Sequence, residues 1–297
     1  MGSALNSTIC RDAVNLMEVA QMCRLVGIVA SEPTEFRLVL REAPRSLSKL
    51  SHEHPDGWGV AIHDSTRPSL HWRVNRGTDR AAADEAFHEV AAKSRGHVLI
   101  AHVRQKTVGP TRLENTHPFQ RDGWVFAHNG TVHATDYLRA HASKARIAEI
   151  QGDTDSEVLF AFVLTRLDEA GLLRLEHERA RKAATQMLLH MARDLRAKEV
   201  GAFNFLLSDG STCFAHRFGR SLYVLERGPG DPVRQSREVS PGAEIVTKWT
   251  PRRRAVFIAS EKMTDEPWRE VPDCTLLRIE RAPEPSIVEV ESETRAA

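Results

Sequence analysis

The spacing of apolar residues changes twice along this 297-residue chain, and the order of those changes limits the fold more than any single motif does. Up to residue 128 the apolar residues fall in short runs or alternate with polar ones, which predicts strands at 23–30, 58–63, 70–74, 97–103 and 124–128. A capping pattern, Thr154-x-x-Glu157, then opens an apolar-rich helix over 156–167, and a second long helix lies within 173–198. After Gly201 strand spacing returns at 203–207, 213–217, 221–225, 255–259 and 276–279, separated by Gly, Pro and polar turns. Strands, then two helices, then strands suggest layers rather than alternating β–α–β units. Two antiparallel sheets packed face to face with helices outside satisfy that order, as do other α+β arrangements.

Smaller features fill in the plan. Residues 35–50, broken at Pro44, hold a short helix and a loop. Residues 81–93 carry Phe87, Val90 and Ala91 on one face and form an amphipathic helix. Residues 105–121 form a long irregular stretch, and loops of that length inside compact domains are usually functional. Asn129-Gly130 stops the strand before it as a turn. Residues 1–22 read as a leader, a propeptide or an overlong start, with at most a helical turn or two at 13–19, and 283–297 as a loose polar tail. Between them, 23–282 form one domain without internal repeats.

Lys and Arg number 41 and Asp and Glu 40, so the chain lacks the basic excess of a general nucleic-acid or anionic-membrane binder. Its longest apolar runs, such as 158–164, are too short to span a bilayer, and residues 1–21 lack a secretory apolar core. Cys10, Cys23, Cys213 and Cys274 form no CxxC pair, which argues against zinc ribbons and disulfide scaffolds and for a reducing cytoplasm. His52 and His54 lack a third ligand at zinc spacing, so neither metal nor cofactor is expected.

Six stretches carry the chemistry: Met22-Cys23-Arg24-Leu25-Val26-Gly27, His54-Pro55-Asp56-Gly57-Trp58-Gly59, Ala101-His102-Val103-Arg104, Asn115-Thr116-His117-Pro118-Phe119, Phe126-Ala127-His128-Asn129-Gly130 and Asp153-Thr154-Asp155-Ser156-Glu157. In order and content they resemble a class II glutamine amidotransferase of the stand-alone YafJ type, a hydrolase whose N-terminal residue is its nucleophile. The resemblance covers most of the chain and implies the four-layer αββα sandwich of N-terminal-nucleophile hydrolases. It assigns Cys23 as nucleophile, Asn129 and Gly130 as the oxyanion hole, Arg104 and the following Thr107 to the substrate's α-carboxylate end, and Asp155 to its α-ammonium.

Each assignment has a plainer alternative. Free cysteines are commonly small core residues, a strand-end arginine pairs at the surface, Asn-Gly makes a hairpin turn, and an Asp at a helix start complements the dipole. The chemistry favours the resemblance. A thiolate is a strong nucleophile, a guanidinium grips a carboxylate through two bonds, and an amide donor stabilises a tetrahedral oxygen. His117-Pro118-Phe119 shapes the pocket wall, the 55–57 turn packs Trp58 beside it, and His102 and His128 are satisfied core histidines.

The expected activity is hydrolysis of glutamine or another γ-glutamyl amide through a thioester on Cys23, with the Cys23 α-amino group as its base once Met22 is removed. With no synthase following the second sheet, either a separate ammonia-accepting synthase is the partner or the substrate is a γ-glutamyl conjugate. A homodimer is compatible with the sequence. The alternative, if residues 1–22 are retained, is a non-catalytic γ-glutamyl binding or regulatory protein.

Overall fold

The computed structural model describes residues 23–66, 72–106, 109–228 and 253–291. The first half builds β1 (Arg24–Glu35), a π-helical turn at Leu38–Glu42, α1 (Leu47–Leu50), β2 (Trp58–His63), β3 (Trp72–Gly77), α2 (Glu85–Ala92) and β4 (Arg95–Val103). A loop with one 3₁₀ turn, Leu113–Asn115, leads to β5 (Phe119–Arg121) and β6 (Trp124–Val132). The helices α3 (Thr135–His141), α4 (Lys144–Ala148), α5 (Asp155–Glu169) and α6 (Glu178–Ala197) follow. The chain then returns to strands in β7 (Gly201–Ser208), β8 (Thr212–Arg217), β9 (Tyr223–Arg227), β10 (Ala255–Ala259), β11 (Arg269–Glu270), β12 (Thr275–Glu280) and β13 (Ser286–Glu291).

Two sheets result, in the orders β11-β9-β10-β1-β4-β2-β3 and β13-β12-β8-β7-β6-β5, with neighbouring strands antiparallel. Strand alternation divides the apolar residues among three layers. Leu25, Val29, Ile100, Val125, Ala127, Leu206, Ala215 and Ile258 fill the space between the sheets. Val26, Ile28, Val60, Leu99 and Val103 face outward and are covered by Leu40, Leu47, Phe87 and Ala91. Phe126, Phe205, Phe214 and Leu276 face outward from the second sheet, beneath Phe160, Val163, Leu188 and Leu195 of α5 and α6. This is an α+β sandwich of four layers, αββα, as the resemblance implied.

The long helices form where the spacing predicts them. Thr154 Oγ1 caps α5 by accepting the Glu157 N–H at 3.3 Å. The second half of the expected capping box is diverted: the Glu157 carboxylate accepts the N–H groups of Gln151 and Gly152, at 3.0 and 2.7 Å, and binds Arg121. Sequence spacing did not reveal the short helices α3 and α4.

Three expectations change. Asn129-Gly130 is not a turn: β6 continues to Val132, with Asn129 opposite Asn204 and Gly130 opposite Phe203. Residues 283–297 are not wholly loose, because Ser286–Glu291 pairs with β12 as an edge strand. Trp58 sits beneath α2 on the outer face of the first sheet, its ring edge-on to Phe87 and its Nε1 donating to Asp84 Oδ2 at 2.6 Å. The motif residue that faces inward is Gly59, where a Cβ would lie 1.9 Å from His117 O. Only glycine admits the 115–119 segment that closely.

Buried histidines are a cost of this packing. His102 lies between the sheets with neither ring nitrogen in a hydrogen bond of normal geometry, and burial drives its pKa down to about 3. His216 is stacked between Phe203 and Phe205 and is driven down to about 4, again by burial. Both are neutral in the fold, whereas an unfolded histidine takes up its proton near pH 6.5. The unfolded chain therefore binds more protons as pH falls below 6.5, and stability falls progressively until the folded-state pKa values are reached. Denaturant titrations between pH 7 and pH 4 should show stability lost at about 1.4 kcal/mol per pH unit for each such imidazole. His102→Gln with His216→Gln should reduce the slope by the share of two imidazoles, and an unchanged profile in that variant would contradict the assignment.

Candidate active site

Three predicted residues share one geometric rule. Cys23 precedes β1 at the parity of Leu25 and Val29, Arg104 follows β4 at the parity of Ile100 and His102, and Asn129 has the parity of Val125 and Ala127. All three therefore belong to faces that look into the space between the sheets. They lie at the same end of it, because His102 of the first sheet packs on His117 at 4.6 Å between ring centroids, and His117 on His128 of the second at 6.5 Å.

Cys23 is partly buried and held by one backbone unit. Its Sγ–H donates to Gln105 O at 3.2 Å, and the Gln105 N–H donates to Sγ at 3.2 Å. Gln105 is steadied in turn by His54, whose Nδ1 lies 3.0 Å from Gln105 Oε1. Burial pushes the Cys23 thiol above its ordinary value, while the Gln105 N–H and the Arg104 guanidinium pull it back. On the chain-end side, Arg24 pairs with Glu261, which also binds Arg45 at 2.9 Å.

Arg104 is 4% exposed. The Pro-Asp-Gly turn locks its backbone: Arg104 N donates to Gly57 O at 2.8 Å, and Asp56 N to Arg104 O at 3.1 Å. Its guanidinium meets the carbonyls of Pro110 and Gly109, at 3.2 and 3.4 Å. Thr107, two residues short of that contact, lies outside the described residues, as do residues 1–22.

Asp155 is the first residue of α5 and docks on β6, where its Oδ2 accepts the Val132 N–H at 2.7 Å. That bond fixes the direction of the neighbouring donors. Backbone N–H groups alternate sides along a strand, so the Gly130 N–H points the same way as that of Val132, away from β7. Two other bonds agree: His133 N donates across to Val200 O at 2.8 Å, and Phe203 N, opposite Gly130, turns instead to Phe218 O at 3.1 Å. Among the described residues, β5 pairs on that side with residues 124–126 alone and leaves the Gly130 edge unpaired by a strand. No side chain fits at position 130, since a Cβ would stand 2.0 Å from Ala202 O.

The histidines behave unequally. His128 is satisfied, with Nδ1 2.8 Å from Ser156 Oγ and Nε2 3.4 Å from Ala202 O. His102 and His117 are not, and burial holds His117 well below its ordinary value, with the other histidines and Arg104 adding to the effect. His52 and His54 diverge to different partners, Arg80 and Gln105. Cys213 is packed inside β8, and Cys274 precedes β12 in a turn with φ +62°. Sequence reasoning missed His54 and Gln105 as supports of the thiol, and Ser260, whose Oγ accepts the Leu25 N–H at 3.1 Å. Of these, His54 and Ser260 stood in conspicuous polar clusters, and Gln105 directly follows the strand-end arginine.

The sequence profile of the glutamine amidotransferases class-II matches residues 22–296. The Escherichia coli protein YafJ, whose name assigns it provisionally to the glutamine amidotransferases, is 28% identical over 262 residues, covering 84% of this chain and 94% of that one. A Mycobacterium tuberculosis protein named gamma-glutamyl-hercynylcysteine sulfoxide hydrolase is 28% identical over 270 residues, covering 87% of this chain and 93% of its own. A Pseudomonas aeruginosa crystal structure, assigned by prediction to the glutamine amidotransferases, superposes with a TM-score of 0.58 at 26% identity, covering 90% of this chain and 99% of that one. Together with the αββα sandwich, these matches show that the chain belongs to the class II glutamine amidotransferases.

Proposed function

We propose that this enzyme hydrolyses the γ-amide of glutamine or of a γ-glutamyl conjugate through a thioester on Cys23. The observation that carries the reading is the convergence, at one end of the space between the sheets, of the Gln105-bound thiol, buried Arg104, and the open β6 edge beside Asp155. Arg104 takes the α-carboxylate and Asp155 the α-ammonium, so the γ-carbonyl is presented to Sγ, with Thr107 assisting at the carboxylate end. Sulfur adds to that carbon. The oxygen that gains charge is met by Asn129 Nδ2 and the Gly130 N–H, collapse expels the amine with a proton, and water cleaves the thioester.

The raised thiol pKa means that Sγ rests protonated at neutral pH and requires a base. The Cys23 α-amino group, with an ordinary pKa of about 7.7–8.0, fills that role only when Cys23 is the first residue. We infer that the active form begins there. The name of the mycobacterial relative supports a γ-glutamyl conjugate as substrate, and a separate synthase receiving ammonia is the second reading. A reducing cytoplasm suits a thiol nucleophile.

Arg104→Ala and Asp155→Asn should each lower kcat/KM for γ-glutamyl anilides by about a hundredfold or more, since each leaves a buried charge of the substrate unpaired. Near-normal kinetics in both variants would remove the head-group assignment. Asn129→Ala should lower kcat by roughly 10²–10³ with little change in glutamate binding. A rise in KM alone would make Asn129 a substrate-positioning group instead. N-terminal sequencing of protein from its native host should show Cys23 first, and chain retaining residues 1–22 should resist a glutamine-analogue electrophile. Full labelling and turnover with the leader in place would refute the N-terminal base and leave the thioester route to another one.

A further inference from the structure

Arg104 and Asp155 come from different layers, one from the end of a first-sheet strand and the other from a helix outside the second sheet. A zwitterionic head group has a fixed distance between its charges, so some feature must set the distance between the two side chains. Asn115 is the residue that touches both supports. It is fully buried at the end of the 3₁₀ turn. Its Nδ2 donates to Pro110 O at 2.9 Å, the same carbonyl that accepts from Arg104 Nη1. Its Oδ1 accepts the Asp153 N–H at 2.8 Å, two residues before Asp155. A second, longer bond runs from Nδ2 to Asp153 Oδ2 at 3.4 Å.

The fit is close on both sides. A Cβ at Gly152 would stand 2.3 Å from Asn115 Oδ1, and one at Gly109 would stand 2.9 Å from Nδ2. One planar amide thus spaces the 109–110 segment from the 152–153 segment, donating to one and accepting from the other. We propose that Asn115 is a positioning residue that sets the separation of Arg104 and Asp155 and so makes the site selective for ligands bearing an α-carboxylate and an α-ammonium on one carbon. The inference rests on the head-group reading of those two residues.

Asparagine is the residue type this bridge needs, because it offers a donor and an acceptor in one short rigid unit. Aspartate has the same shape but no N–H. At position 115 its carboxylate would face the Pro110 carbonyl and the Asp153 carboxylate, driving the two segments apart. A ligand with one head-group charge can follow whichever side chain it binds. A ligand with both on its α-carbon cannot satisfy two displaced partners at once.

The test measures binding by calorimetry on protein beginning at Cys23, with three probes: L-glutamate, glutarate, which lacks the α-ammonium, and 4-aminobutyrate, which lacks the α-carboxylate. Wild-type protein should prefer L-glutamate. Asn115→Asp should lose about 10- to 100-fold of L-glutamate affinity, the scale of one misplaced charged hydrogen bond, while the two analogues that lack one head-group charge change less than about threefold. Alkylation of Cys23 by iodoacetamide, which carries no head group, should proceed at the wild-type rate. If Asn115→Asp does not fold, Asn115→Ala serves in the same comparison. An equal loss for all three ligands makes Asn115 merely structural and overturns the proposal, as does an unchanged preference for L-glutamate. Arg104→Ala and Asp155→Asn separate the two levels. If they abolish the preference and the Asn115 variants do not, only the Asn115 inference falls. If wild-type protein shows no preference, the head-group reading falls and takes this inference with it.

Discussion

The site depends on β1 being unable to move. That strand is hydrogen-bonded to β4 on one edge and β10 on the other, and its two faces are buried in different cores. A slip of one residue would exchange those faces, so the register is strongly fixed. Leu25 is clamped a second time: its N–H donates to Ser260 Oγ at 3.1 Å, and its carbonyl accepts the Ser260 N–H at 3.0 Å. Cys23 stands two residues from that clamp, and the pairing of Arg24 with Val103 carries the same register to the strand that ends at Arg104. Cys23 and Arg104 are thus placed by one ladder.

The opposite wall depends on a strand that stays short. Because β5 covers only residues 124–126 of β6, the next part of that edge is available to other groups. One same-sided donor, the Val132 N–H, is taken by the Asp155 carboxylate, which anchors the start of α5 to the sheet. Another, the Gly130 N–H, points into the same opening. A longer β5 would pair it and close the edge. The sheet therefore supplies a backbone donor without spending a buried, unpaired group in the core, where such a group costs roughly 1–3 kcal/mol.

Much of this was legible in the sequence, because alternation and helical spacing are local. Parity alone sets Cys23, Arg104 and Asn129 on inward faces once β1, β4 and β6 are recognised. The Asn129-Gly130 turn was misread because turn preference is also local, whereas β6 is held there by β7, some seventy residues later, and glycine is required by the approach of Ala202 O. The edge strand β13 was hidden by its charged residues, Glu289 among them, since an exposed edge strand buries little. His54, Gln105 and Asn115 act through contacts between distant parts of the chain. No spacing rule encodes that Asn115 meets Pro110 on one side and Asp153 on the other.

The two walls hold their charged side chains partly through dipoles. The hydrogen bonds seen at the Arg104 guanidinium go to neutral carbonyls, and those at Asp155 to a backbone N–H and the Ser156 hydroxyl. Dipoles of this kind orient a charged side chain, and the Asp56 carboxylate acts on Arg104 as well. Between the two lie His102, His117 and His128, all pushed toward the neutral form by burial. A charged imidazole there would repel Arg104 and attract Asp155, biasing both against an incoming zwitterion. Keeping the column neutral costs acid stability, and on the head-group reading it adds no further positive charge beside the two groups that meet the substrate.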